Sequence, residues 1–140
     1  MITFKFNDII KYLILLIIIF FIGSCLAYFY KKEEYYLPRN SPNSAIGHCI
    51  LTAGTHQGWR VKHIRSSTYT AEVEPKDSFF IKINLHVIEQ RKIITEYVES
   101  RNLMYDGENI HRSYYKWVDN YMAYTKRCLS KLRKANRKKK

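Results

Sequence analysis

No stretch of this chain spells a catalytic motif. It has no HExxH pair, no Cys-x-x-Cys and no nucleophile elbow. The five histidines show no metal-ligand spacing, so no metal, no cofactor and no catalytic residue is expected. Cysteine is scarce, with Cys25, Cys49 and Cys128 alone. Acid is missing from one end. Lys126, Arg127, Lys131, Arg133, Lys134, Arg137, Lys138, Lys139 and Lys140 follow Thr125 with no Asp or Glu among them. Residues 25–125 are close to charge balance, so much of the formal +12 resides in that last stretch. At 140 residues the chain has room for one domain.

The amino terminus differs from everything after it. Lys5 and Lys11 precede an apolar run over residues 12–22, the length of a signal-peptide core. Gly23, Ser24 and Cys25 follow. Ile22-Gly23-Ser24-Cys25 looks like a bacterial lipobox. Small side chains let a peptidase reach the bond before the cysteine, and the thiol then takes the lipid. That reading makes residues 1–24 a signal peptide and Cys25 the acylated first residue, held in lipid by two or three chains. A second reading stays open. The apolar stretch continues to Tyr30. As a helix it reaches about 28 Å at ~1.5 Å per residue, enough to span a hydrocarbon core. Residues 9–30 would then be an uncleaved signal anchor, with Lys31 and Lys32 at its far interface.

Residues 25–43 read as a tether, polar and carrying Pro38 and Pro42. Ser41-Pro42 predicts a helix start, with Ser41 as N-cap. Ile46, Cys49, Ile50 and Ala53 form its apolar stripe, and Gly54 and Gly58 mark its end. Strands are expected over residues 59–65, 68–74, 79–88 and 92–99, the third from the clean alternation of Phe79, Ile81, Ile83, Leu85 and Val87. The short connections make them antiparallel neighbours. Ile110, Tyr114, Trp117, Val118, Tyr121, Thr125, Cys128 and Leu132 then recur at helical spacing for about six turns. The expected fold is α+β: an N-terminal signal or anchor helix, then α-β-β-β-β-α. A four-stranded antiparallel sheet is covered on one face by two helices over residues 44–132, and residues 133–140 form a basic tail.

Within this pattern, Gly58-Trp59 and the stretch SRNLMYDGENIHRSYYKW at residues 100–117 resemble a family of small lipoproteins of Gram-negative bacteria. The family pattern is Ser-x-Asn-Leu-x-Tyr followed by Ile-His-x-x-Tyr-x-x-Trp. Ser100, Asn102, Leu103, Tyr105, Ile110, His111, Tyr114 and Trp117 match it. Ser113 and Tyr115 depart from it, where the pattern has asparagine, and the Lys-rich tail runs past it. The resemblance covers most of residues 44–132. It implies a lipid anchor and an envelope location, facing the periplasm from the inner leaflet of the outer membrane. It implies no activity.

Asn102, Tyr105, His111, Tyr114 and Trp117 are the candidate cluster. One reading makes it a ligand site, with His111 as a proton-switchable contact. The other makes it structural, His111 tying the loop over residues 102–106 to the last helix. Cys49 and Cys128 fall on the apolar faces of their helices and either bridge them, as an oxidising compartment allows, or stay buried thiols. Phe80, His86, Ile88, Ile94 and Val98 are placed on the sheet face away from the helices, an apolar surface for a partner. The basic tail fits anionic head groups or surface polymer, and an exported location argues against nucleic acid. The expected protein is a non-catalytic envelope lipoprotein with membrane lipid, and an envelope protein or anionic head group, as partners. Two alternatives are a small-ligand-binding protein or enzyme around His111, and an uncleaved single-pass membrane protein with a polybasic tail.

Overall fold

The alternation in residues 79–88 builds the centre of the sheet. The computed structural model describes residues 11–12, 33–76 and 78–138. Cys25, and with it the signal-peptide and anchor readings, lies outside the described residues. In chain order the elements are β1 (Glu33–Tyr36), α1 (Asn43–His56), β2 (Arg60–Arg65), β3 (Thr68–Val73), β4 (Phe80–Ile88), β5 (Lys92–Arg101) and α2 (Ser113–Lys138). The sheet order is β1-β5-β4-β3-β2, every neighbour antiparallel. Ile81, Ile83 and Leu85 on central β4 are fully buried, and Ala71 and Ile93 flank them on β3 and β5. The period of 2 puts all of these on one face.

Both helices cover that face. One core cluster joins Ile46, Cys49, Ile50 and Ala53 of α1, the inward strand residues, and Tyr114, Val118, Tyr121, Met122 and Leu129 of α2. The fold is α+β, a five-stranded antiparallel sheet under two helices. The expected sheet had four strands; the fifth comes from the segment read as tether. β1 is short, and its pairing with β5 joins residues far apart in sequence, Glu33 to Thr95 and Tyr36 to Lys92. No local alternation announces such a strand. Its anchor is Tyr35, whose hydroxyl lies 2.7 Å from both Glu33 Oε2 and Asp119 Oδ1. Its single proton serves one carboxylate at a time. Burial first, and the two carboxylates second, push this phenol far above its ordinary pKa.

Other boundaries move for local reasons. Pro42, not Ser41, is the N-cap of α1, because the Ser41 hydroxyl is spent on Pro38 O at 2.8 Å. Gly54 lies inside α1 and is buried; the helix ends later, at a turn where Gly58 takes φ +77°. There Trp59 N–H donates to Gly54 O at 2.8 Å and Gly58 N–H to Thr55 O at 3.2 Å, the paired bonds of a Schellman motif. α2 starts at Ser113 rather than Ile110. It runs unbroken to Lys138, so residues 133–138 are helix and not a separate tail. Among the described residues no helix is long and apolar enough to cross a membrane.

Candidate functional site

The loop from β5 to α2 carries most of the candidate cluster, and its polar groups turn inward on the loop itself. Asn102 sits at φ 61°, a left-handed position that Asn tolerates, and its side-chain amide donates to Ser78 O in the turn between β3 and β4. Leu103 is 1% exposed and anchors the loop, and its carbonyl accepts His111 N–H at 2.9 Å. Asp106 accepts the backbone N–H groups of Glu108 at 2.9 Å and Asn109 at 2.6 Å. Those bonds favour the carboxylate and hold the Asp106 pKa below its ordinary value. His111 is exposed at the start of α2. Its Nδ1 accepts Ser113 N–H at 3.3 Å and its carbonyl accepts Tyr114 N–H at 2.9 Å. It therefore occupies donors that the first turn of a helix leaves open.

The aromatic members make ring contacts with their neighbours, Tyr114 buried and Tyr105 partly open. Tyr97 meets Tyr105 with tilted rings at 4.4 Å between centroids and meets Tyr114 edge-on at 6.0 Å. Tyr114 meets Tyr115 at 5.3 Å, and Trp117 leans on Phe79 at 5.8 Å. Such contacts add roughly 0.5–1.5 kcal/mol each beyond burial. Tyr114 is buried, which raises its phenol pKa. Tyr105 and Tyr114 thus lie together near His111 in sequence. Asn102 is turned to Ser78 and Trp117 to the adjacent Phe79, at the turn before β4.

The open face of the sheet corrects the expectation of an apolar surface. Phe80 is only 8% exposed, covered by the Arg101 guanidinium 4.8 Å above its ring. Around it run cross-strand polar pairs. Arg60 Nε lies 3.1 Å from Glu72, Arg101 Nη2 3.3 Å from Glu74, Lys92 Nζ 2.8 Å from Glu34, and His86 Nε2 3.0 Å from Glu96. Thr70 donates to Asn84 at 2.7 Å. Ile88 and Ile94 are half-buried; Val98, at the break in register on β5, remains exposed.

On the other face Cys49 and Cys128 form a disulfide between α1 and α2, their Cα atoms 5.6 Å apart. Beside it the Tyr121 hydroxyl donates to Ile50 O at 3.0 Å, and the Tyr121 ring stacks on Trp59.

The region that sequence reasoning missed lies where the β1–α1 loop meets the far end of α2. A groove of about 310 Å³ opens there. Arg39 comes from the loop and Arg133 and Arg137 from α2, over a floor of Ala45, Leu129 and Leu132. Asn40 turns the loop at φ 61°. The signal was present in Pro38-Arg39-Asn40-Ser41-Pro42, a turn-rich run with a cation in it, but only the fold brings it to α2. No protein-family model and no curated protein matches the chain.

Proposed function

We propose that this chain is a bacterial envelope lipoprotein with a non-catalytic, binding or structural role, tethered by acylated Cys25 and facing the periplasm. The observation that carries the reading is the Cys49–Cys128 disulfide, because such bonds persist in oxidising compartments and are rare in the cytosol. It accords with the lipobox-like Ile22-Gly23-Ser24-Cys25 and with the resemblance of residues 100–117 to Gram-negative lipoproteins, which implies an envelope location, and we place the anchor in the inner leaflet of the outer membrane. A non-catalytic role is supported by the candidate cluster, where Asn102 and His111 spend their side chains on backbone groups.

On this reading the tether is shorter than residues 25–43. Cys25 stands eight residues ahead of Glu33, where β1 begins. Fully extended, that distance is at most about 28 Å, so the domain stays close to its membrane. Mass spectrometry of the purified protein tests the proposal. The expected chain begins at Cys25 with the mass of its acyl groups. A chain retaining Met1 and unmodified Cys25 overturns it.

A further inference from the structure

Three cations on the sheet, Arg60, Lys92 and Arg101, have acids beside them, whereas among the described residues no acid lines the groove at the far end of α2. Arg60 lies 3.1 Å from Glu72 and Lys92 2.8 Å from Glu34, each on a neighbouring strand, and Arg101 lies 3.3 Å from Glu74 just past the end of β3. Arg39, Arg133 and Arg137 share one groove of about 310 Å³, and no acidic side chain lines it. Like charges gathered on one cavity repel one another, and an anion entering between them removes that cost. The first turn of α1 stands at the same place, since Pro42 and Ala45 are lining residues. Pro42 makes no side-chain cap bond and the first turn holds no acid. The open N–H groups and the positive end of the helix dipole reinforce the arginines. The floor is apolar, with Leu129 only 3% exposed.

We propose that this groove binds a phosphate-bearing anion, with Arg39, Arg133 and Arg137 as its ligands and the start of α1 behind them. Guanidinium is planar and always charged, and pairs with phosphate through two parallel N–H···O bonds, so three of them around one cavity suit a phosphate ester. The apolar floor accepts the carbon side of that ester. Two sources share this chemistry, the head group of an anionic phospholipid and a soluble phosphorylated molecule. Only the lipid source leans on the membrane tether proposed above. The groove itself does not require Cys25 to be acylated, so either proposal can fail alone.

The full-length protein in zwitterionic detergent is titrated with glycerol 3-phosphate by calorimetry. Placed in nanodiscs, it is compared between phosphatidylglycerol and phosphatidylcholine by cross-linking from the groove. Saturable glycerol 3-phosphate binding with no cross-linking to phosphatidylglycerol identifies a soluble ligand. Cross-linking to phosphatidylglycerol alone identifies the lipid. Either result requires the arginine dependence below, and failure of both arms overturns the proposal. Arg39→Gln and Arg133→Gln, both at exposed positions, are each expected to weaken binding about tenfold. Lys134→Gln with Lys138→Gln, exposed cations of α2 that do not line the groove, is expected to leave it within about twofold. Equal losses from the arginine and lysine variants would assign the binding to diffuse charge and overturn the site.

Discussion

The two faces of the sheet are built by opposite means. Under the helices Ile81, Ile83, Leu85 and Ile93 are fully buried, and a disulfide locks the cover to itself. On the open face the strands are joined by Arg60–Glu72, Lys92–Glu34, Arg101–Glu74 and His86–Glu96, several of them well exposed. Burial of a large apolar side chain is worth roughly 1.5–3 kcal/mol, and an exposed ion pair roughly 0–1. Stability therefore resides on one side. The other side keeps its charges neutralised in place, which is how a bare sheet face and its edges stay soluble. The difference isolates the groove: among the described residues no acid lines the cavity that its three arginines share.

Opening the disulfide is the largest expected break in this asymmetry. Its cysteines are 79 residues apart, so reduction releases a long loop in the unfolded chain. The helix layer should lose about 2–5 kcal/mol. Urea unfolding followed by tryptophan fluorescence, with and without reductant, measures it through Trp59 and Trp117. If reduction costs no more than removing an ion pair from the open face, the helix layer is not where stability resides.

Gly54→Ala comes next. A Cβ at this position would run into Val61 Cγ2 on β2 and stand 3.1 Å from the Tyr121 hydroxyl. Val61 is short and β-branched, so it cannot swing clear, and the Tyr121 hydroxyl is held by Ile50 O. Replacing glycine inside a helix would normally gain about 1 kcal/mol. Overpacking costs about 1–3, so a net loss of up to about 2 kcal/mol is expected. Adding Val61→Ala should restore part of it. A stabilised Gly54→Ala protein would show that α1 and β2 do not close on each other.

What the sequence discloses follows this division. Strands β3 and β4 alternate because one face is buried, and the stripe on α2 repeats because one side packs. Those elements were legible in Tyr69, Ile81, Ile83, Val118 and Tyr121. β1 was not, since Glu33-Glu34-Tyr35-Tyr36 does not alternate and its partner on β5 is some 60 residues away. The start of α1 was misplaced by one residue because Ser41 has a better partner in Pro38 O. In the candidate cluster the residue types were legible but their targets were not. Asn102 reaches a carbonyl on another turn, and nothing in its own neighbourhood names Ser78. The groove was half legible: the cations of α2 were plain, and Arg39 was hidden in what reads as a tether.

The smallest effect is expected from acid acting on the open face. Lys92 donates to Glu34 at 2.8 Å across the β1–β5 pair, and this bond first of all holds the Glu34 pKa below its ordinary value. A carboxyl whose folded pKa is lowered favours the folded state fully above its unfolded value, near 4.3, and ceases to do so as pH falls through the folded value. The contribution is thus present at neutral pH and lost only below about pH 4. Both groups lie at the surface, so salt screens the pair. Proton exchange at the β1 amides should rise in that acid window, with the midpoint of global unfolding almost unmoved. Lys92→Gln should remove most of the shift and leave β1 attached, because Tyr35 holds the strand from the opposite face through Asp119 on α2. Release of β1 by Lys92→Gln at neutral pH would mean that the edge strand hangs on the charged face after all. The division between a face that stabilises and a face that merely balances its charge would then fail at β1.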